Sequence, residues 1–360
     1  MTRALPLLLL APLLALAPQR LEGCAAVGPD GGRFDALSES AVVVWDEATK
    51  TQHFIRRGQF RGTGYDFGFL VPTPTKPELA VADAGLFAEL ARVTAPKTET
   101  RVSYSIGGCA GAPAMATADV GPAGGLTVEV KKVGEYDAAT LGFVVGKGGD
   151  AAGGAAEIAA WLKKHGYSFS PSLAAWLKPY VERQWLVTAF RVSAPKPADP
   201  PKDSKTHTVP LAPIRMSFRT ERPFYPYREP AEMRDEEAAQ QARSLRVYFV
   251  GGVRFAGKLG DAGSWPAKTV WANKLGDADR TALAAAMLPA GELWLTEFED
   301  YSRPRPGTDE VYFEPSADQA AVARPPHIHV VYDSRPILIG GGFGAVVAVG
   351  FMMWAGRRKG

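Results

Sequence analysis

Cysteine is scarce in this chain: Cys24 and Cys109 are its only two in 360 residues. Two thiols can build neither a structural zinc site nor a disulfide scaffold. An excess of one charge sign is also missing. Forty-one Lys and Arg stand against 38 Asp and Glu, leaving +3 spread along the chain. So small a surplus argues against a nucleic-acid-binding surface. Local catalytic signatures are absent as well: no G-x-S-x-G, no H-E-x-x-H, no P-loop and no C-x-x-C occurs. What is present is apolar. Hydrophobic residues make up 46% and aromatics 10%, enough for a sizeable core and too much for a mainly disordered chain. The 38 Gly and 29 Pro exceed the usual share of about 12% and favour strands joined by many turns. The length allows one large or two ordinary domains with tails.

The N-terminus reads as a secretion signal and the C-terminus as a membrane anchor. Arg3 precedes the apolar run Ala4 to Ala17, whose 14 residues are too few to span a bilayer. Gly23 and Ala25 can occupy the −3 and −1 positions of a cleavage site, making residues 1–25 a signal peptide. Leu21-Glu22-Gly23-Cys24 also has the outline of a lipobox, but Glu22 and Arg20 suit it badly. At the other end, Ile337 to Gly356 is 20 residues without a charge, roughly 30 Å as a helix, which matches a bilayer core. Arg357, Arg358 and Lys359 follow at once and should stay cytoplasmic. Tyr332 and Trp354 suit the two interfaces. The sequence therefore predicts a single-pass protein of the cell membrane. Its bulk is extracytoplasmic, the transmembrane helix covers 336–356, and 357–360 is a basic cytoplasmic tail.

The glycines of that tail match G-x-G-x-x-A at Gly340, Gly342 and Ala345. A dinucleotide site needs a second strand and an acidic residue about 20 positions on. Only 15 residues follow Ala345 and none is acidic, so no cofactor is expected. Gly340, Gly344 and Ala348 share one helical face and could support homo-association; simple anchoring is the plainer reading.

In the exported part, Ala41 to Trp45 and Gln52 to Arg56 read as a hairpin around a turn at Asp46 to Lys50. Tyr65 to Val71 is a strand ended by prolines. Asp83 is an N-cap candidate for a helix whose face is Leu86, Phe87, Leu90 and Val93. Strands are expected at Glu99 to Ile106 and Leu126 to Val133, around a Gly- and Ala-rich loop holding Cys109. Helices are expected from Ala152 to Lys164, stopped by Gly166, and from Ser170-Pro171 through Trp176 and Tyr180, bent or shortened at Pro179. Strands follow at Trp185 to Val192, Ile214 to Thr220 and Leu245 to Val250. Arg228 to Arg243 is a charged, helix-forming stretch. A helix near Asp279 to Met287 and strands at Glu292 to Phe298 and Glu310 to Phe313 complete the pass. Strands and helices mix without alternation, which predicts an α+β fold: a mainly antiparallel sheet with a few short helices.

Several of these segments together resemble one bacterial family, domain of unknown function 2330. They are Tyr65-Asp66-Phe67-Gly68-Phe69-Leu70-Val71-Pro72-Thr73-Pro74, the helix ending in Thr94-Ala95-Pro96, and Val133-Gly134-Glu135-Tyr136-Asp137. Trp161-Leu162-Lys163-Lys164-His165-Gly166-Tyr167 and Ile214-Arg215-Met216-Ser217-Phe218, followed by Pro223 and Tyr225-Pro226, complete the set. The resemblance covers roughly 40–255. It turns the Pro-rich stretch 194–205 from an interdomain linker into a loop within one domain, 26–255, and leaves 256–335 as an appended α/β segment and stalk. It implies an exported bacterial protein, often tail-anchored, and brings no activity with it.

Three groups of residues could carry chemistry. His327 and His329 would share one face of a strand and could ligate a metal, with a third ligand from His53, His165 or a carboxylate; two solvated histidines is the plainer reading. Asp66 with Glu135-Tyr136-Asp137 could form an acid/base pair if burial split their pKa values, although turn capping explains Asp137 as well. Cys109 lacks a sequence-local group to activate it, and could pair with Cys24 if processing spares that residue. The reading that results has no catalytic residue, no metal and no cofactor. It is a membrane-anchored, non-catalytic binding or structural domain of the envelope, with the lipid bilayer as partner and no nucleic acid. The alternatives are a metal-dependent envelope hydrolase and a surface protein whose tail is a processed sorting signal.

Overall fold

The computed structural model describes residues 34–62, 66–103, 128–142, 151–167, 171–193, 207–231, 234 and 244–332. The expected signal peptide 1–25, both cysteines and the apolar segment 337–356 with its basic tail lie outside these residues. Among the described residues no helix is long and apolar enough to cross a membrane. The chain divides into two compact units, 1–95 with 116–324, and 96–115 with 325–360.

The first unit is built on the expected hairpin, longer than its β-branched run suggested. Strands β1 (Phe34–Asp46) and β2 (Thr51–Gly62) pair antiparallel. The turn follows from local chemistry. Asp46 accepts hydrogen bonds from the Ala48 amide at 3.0 Å and the Thr49 hydroxyl at 2.7 Å, and Lys50 closes it in the left-handed region at φ 51°.

Around this hairpin grows an eight-stranded sheet. Beyond β2 lie β10 (Ile214–Arg219) and the edge strand β4 (Glu78–Val81), and β9 (His207–Pro210) pairs with the far end of β2. Beyond β1 lie β12 (Ser244–Gly251), β16 (Trp294–Asp300) and β15 (Lys268–Lys274). Only β1 and β12 run parallel; the other neighbours are antiparallel. The segment after 255, read as appended, thus places β15 and β16 in this sheet.

Two smaller sheets complete the unit. One is β3 (Asp66–Thr73), β8 (Leu186–Ser193), β7 (Tyr136–Leu141) and β6 (Val128–Val133), in that order. The other is β11 (Phe224–Tyr225), β17 (Val311–Pro315), β13 (Phe255–Leu259) and β14 (Gly263–Ser264).

Alternation decides what each face meets. Ala41, Val43 and Trp45 of β1 point with Phe54, Val247, Phe249 and Phe298 into a core shared with both smaller sheets, where they join Phe69, Phe190, Phe224, Trp265 and Phe313. Each large apolar side chain buried there contributes about 1.5–3 kcal/mol. The opposite face, Val42, Val44, Ile55, Tyr248 and Leu295, is covered by α1 (Leu86–Val93) and by Leu283 and Ala286. Helices α2 (Ala151–Lys164) and α3 (Pro171–Glu182) cover the outer face of the β3–β8–β7–β6 sheet.

The helix ends match the sequence signals with two shifts. Gly166 stops α2 at φ +80°, and Pro171 opens α3, which runs on through Pro179. Asp83 stands two residues early: Gly85 occupies the cap of α1, and Asp83 receives the Gly85 amide at 2.7 Å. The last helix, α4 (Asp277–Ala282), starts before Asp279 and gives way to a 3-10 turn at Ala284–Ala286. Of the charged stretch 228–243, residues 228–230 are irregular, 231 is in a 3-10 turn and 234 lies in a bend.

In the second unit, β5 (Thr98–Ser103) and β18 (His327–Tyr332) pair in parallel.

Candidate functional site

The first unusual feature is a set of charges inside the shared core. Glu39 alternates with Ala41 and Val43 on β1, so it points inward, and so does Arg56 on β2. The Arg56 guanidinium bonds both Glu39 oxygens, at 2.7 and 3.2 Å, and lies 4.8 Å from the centre of the Phe69 ring. The Tyr225 hydroxyl donates to Glu39 at 2.6 Å. Burial by itself would raise the Glu39 pKa; Arg56, the Tyr225 hydroxyl and Arg305 outweigh it and hold the carboxyl below its ordinary value.

The loops that follow β11 and β16 add the remaining members. Arg305, 7% exposed, lies 3.7 Å from Glu229. Burial works against its charge, but Glu229, Tyr225, Glu39 and Asp300 together raise its pKa. Asp300 accepts from the Tyr227 hydroxyl at 2.6 Å and from the Ser302 amide at 2.8 Å. A second knot forms at Glu310, which is fully buried. It accepts from the Tyr180 hydroxyl of α3 at 2.6 Å and from the Tyr227 amide at 2.9 Å. Here burial wins, and the Glu310 pKa is raised despite Tyr180 and Arg228.

The second feature is an open cleft of about 190 Å³. The β1–β2 turn, residues 221–223, β13 and β17 enclose it. Its base is apolar: Trp45, Pro223, Phe255 and Phe313 are all buried. Its rim is charged in matched pairs, Lys50 with Glu47, Arg222 with Asp261 and Lys258 with Glu314. The Arg222 guanidinium stacks 3.6 Å from the centre of the half-buried Tyr312 ring, and the Trp45 indole donates to Glu47 at 2.6 Å. The rim thus sets hydrogen-bond donors beside acceptors with little net field.

The residues singled out from sequence are dispersed. His327 is exposed on β18, and its register partner is Thr98; the His329 side chain is outside what the structure describes. His53 Nδ1 lies 2.8 Å from the Ser217 hydroxyl, and burial with Arg215 lowers its pKa. His165 stacks on Trp161 at 4.0 Å and bonds the Trp161 carbonyl. Both candidate third ligands are thus engaged locally. Among the described residues no three His, Cys, Asp or Glu side chains gather as a metal site.

The Glu135-Tyr136-Asp137 group serves two separate purposes. Glu135 accepts the Ala212 amide, and the Tyr136 hydroxyl donates to the Ala212 carbonyl. Together they fix the approach to β10. Asp137 faces the other way, between Lys132 and Arg191 on the neighbouring strands. Burial raises its pKa against the pull of those two cations. The Asp66 side chain, Tyr65, Cys24, Cys109, Gly340, Gly344, Ala348, Ile337, Trp354, Arg357, Arg358 and Lys359 all lie outside the description.

Sequence reasoning missed the buried charges and the cleft. Glu39 had one legible sign, an acid at an inward position of an alternating strand. The other members come from segments far apart in the chain, and no local pattern joins them.

The model of one family, described as "Uncharacterized protein conserved in bacteria (DUF2330)", matches residues 19–313. The match reaches well past 255, where the resemblance read from sequence stopped, and so takes in β13 to β16 and the first residues of β17. No curated protein and no solved structure matches the chain.

Proposed function

Given that the chain belongs to the bacterial DUF2330 family, we propose that it is an extracytoplasmic, membrane-tethered domain that binds a ligand or partner without catalysing a reaction. One observation carries the non-catalytic part. The buried acids with shifted pKa values, Glu39 and Glu310, are sealed in the core and do not line the cleft. A general acid or base must reach its substrate, whereas a carboxylate sealed among tyrosines and arginines serves the architecture. The cleft, with its neutralised rim, is equipped for recognition.

The tether rests on the sequence. The uncharged run Ile337 to Gly356 is followed directly by Arg357, Arg358 and Lys359, the arrangement that stops transfer and fixes orientation. Membrane fractionation of the full chain and of a chain ending at Arg335 tests it. The full chain should sediment with membranes and the shortened one should be released outside the cytoplasm. Retention of the shortened chain would contradict the tether and point to a lipidated Cys24 or an uncleaved signal.

A further inference from the structure

We propose that the cleft between the β1–β2 turn and β17 binds a neutral saccharide unit; this rests on the binding reading above and names its ligand class. Three features of the cleft converge. Its rim charges are already paired, Lys50 with Glu47, Arg222 with Asp261 and Lys258 with Glu314. Glu221 adds one more negative charge, so an anion meets no uncompensated cation. Each pair sets planar or rotatable donors beside carboxylate acceptors. Vicinal hydroxyls, each both donor and acceptor, match such a pair.

The base supplies the complementary surface. The exposed Arg222 guanidinium, held over the half-buried Tyr312 ring and backed by the buried Phe255 and Pro223, offers a planar, weakly hydrated surface to the C–H face of a sugar ring, which is apolar while its edge is polar. The volume, about 190 Å³, lies below the roughly 300–1,000 Å³ of drug-sized pockets. It admits one ring, as a terminal or protruding unit of a longer glycan.

The test uses the full chain in zwitterionic micelles free of sugar headgroups. Saturation-transfer NMR reads methyl β-glucoside, and phosphorus line broadening reads inorganic phosphate. The expected result is transfer to the glucoside with a Kd of about a millimolar and no broadening of phosphate. Arg222 and Asp261 are exposed, their side chains 49% and 85% accessible, so Arg222→Gln and Asp261→Asn should keep the wild-type melting temperature. Each should weaken the glucoside by about tenfold. No transfer to the glucoside, or transfer unchanged in both variants, would overturn the proposal. Phosphate broadening lost in Arg222→Gln would overturn it too, by assigning the cleft to an anion. The tether is read separately by fractionation, so a silent cleft refutes the saccharide alone.

Discussion

Arg56 on β2 lies diagonal to Glu39 on β1 and grips both of its carboxylate oxygens, at 2.7 and 3.2 Å, on a face otherwise made of Ala41, Val43, Trp45 and Phe54. Two charges taken from water into such a face cost several kcal/mol each, and mutual attraction only roughly offsets that cost. What the pair contributes is register: with Tyr225 it fixes where the 224–229 segment meets the hairpin.

Breaking that pair should therefore be far worse than its net value. Arg56→Met leaves Glu39 buried without its main cation and should cost about 3–5 kcal/mol. Glu39→Gln leaves the Arg56 charge buried without its carboxylate and should cost a similar amount, and the double variant less than the two losses added. Urea denaturation of the three proteins measures this. A loss in Arg56→Met below about 1 kcal/mol, the range of exposed pairs, would refute the buried lock.

Glu39 and Glu310 should move stability with pH in opposite senses. The folded pKa of Glu39 lies below its ordinary 4.5, so its contribution is complete above 4.5 and is lost as pH falls through the folded value. The folded pKa of Glu310 lies above 4.5. Its contribution is complete below 4.5 and is lost as pH rises through the folded value. Urea midpoints across pH should show Glu39→Gln flattening the acid limb and Glu310→Gln the limb above it. Identical profiles for the two variants would contradict the assignment.

Gly68 should tolerate no side chain. A methyl group there would strike the ring edge of Tyr167 and come 2.9 Å from the Phe190 carbonyl oxygen. Gly68→Ala should cost about 1–3 kcal/mol by overpacking. The cost should shrink, without vanishing, in a Tyr167→Ala background, because the backbone contact remains. A thermal-melt double-mutant cycle reads the coupling; zero coupling would show that Tyr167 does not pack there.

Strands were legible where β-branched residues alternate with turns behind them, as at Val42 to Trp45, and helices where apolar spacing meets Gly166 or Pro171. The strand β7, Tyr-Asp-Ala-Ala-Thr-Leu, was not. Its alanines have little strand propensity, and it is a strand because β6 and β8 flank it and bury all six residues. β13 and β15 were missed for a related reason: Phe-Ala-Gly-Lys-Leu and Lys-Thr-Val-Trp-Ala-Asn-Lys lack a clean period, and sheet neighbours decide them. The site was less legible still. Trp45 was read as one residue of a strand, and only folding brings it beside Arg222 and Tyr312. Glu135, Tyr136 and Asp137 are consecutive and look like one chemical group, yet Tyr136 and Asp137 point to opposite sides of the sheet.

The stretch 194–205 should be cleavable without dissociation. Before it, β8 pairs with β3 and β7; after it, β10 pairs with β2 and β4. Limited proteolysis there should give two fragments that co-elute on size exclusion and separate only in denaturant. Separate elution under native conditions would show two independent domains.

The most direct test of the central claim is a pair of alkaline phosphatase fusions, since the enzyme is active only outside the cytoplasm. A fusion that replaces the chain from Pro336 onward should be active and released from membranes, and one placed after Gly360 inactive and held in the membrane fraction. Activity at both positions would show that residues 337–356 do not cross the membrane, and inactivity at both that the domain is never exported; either result contradicts the account.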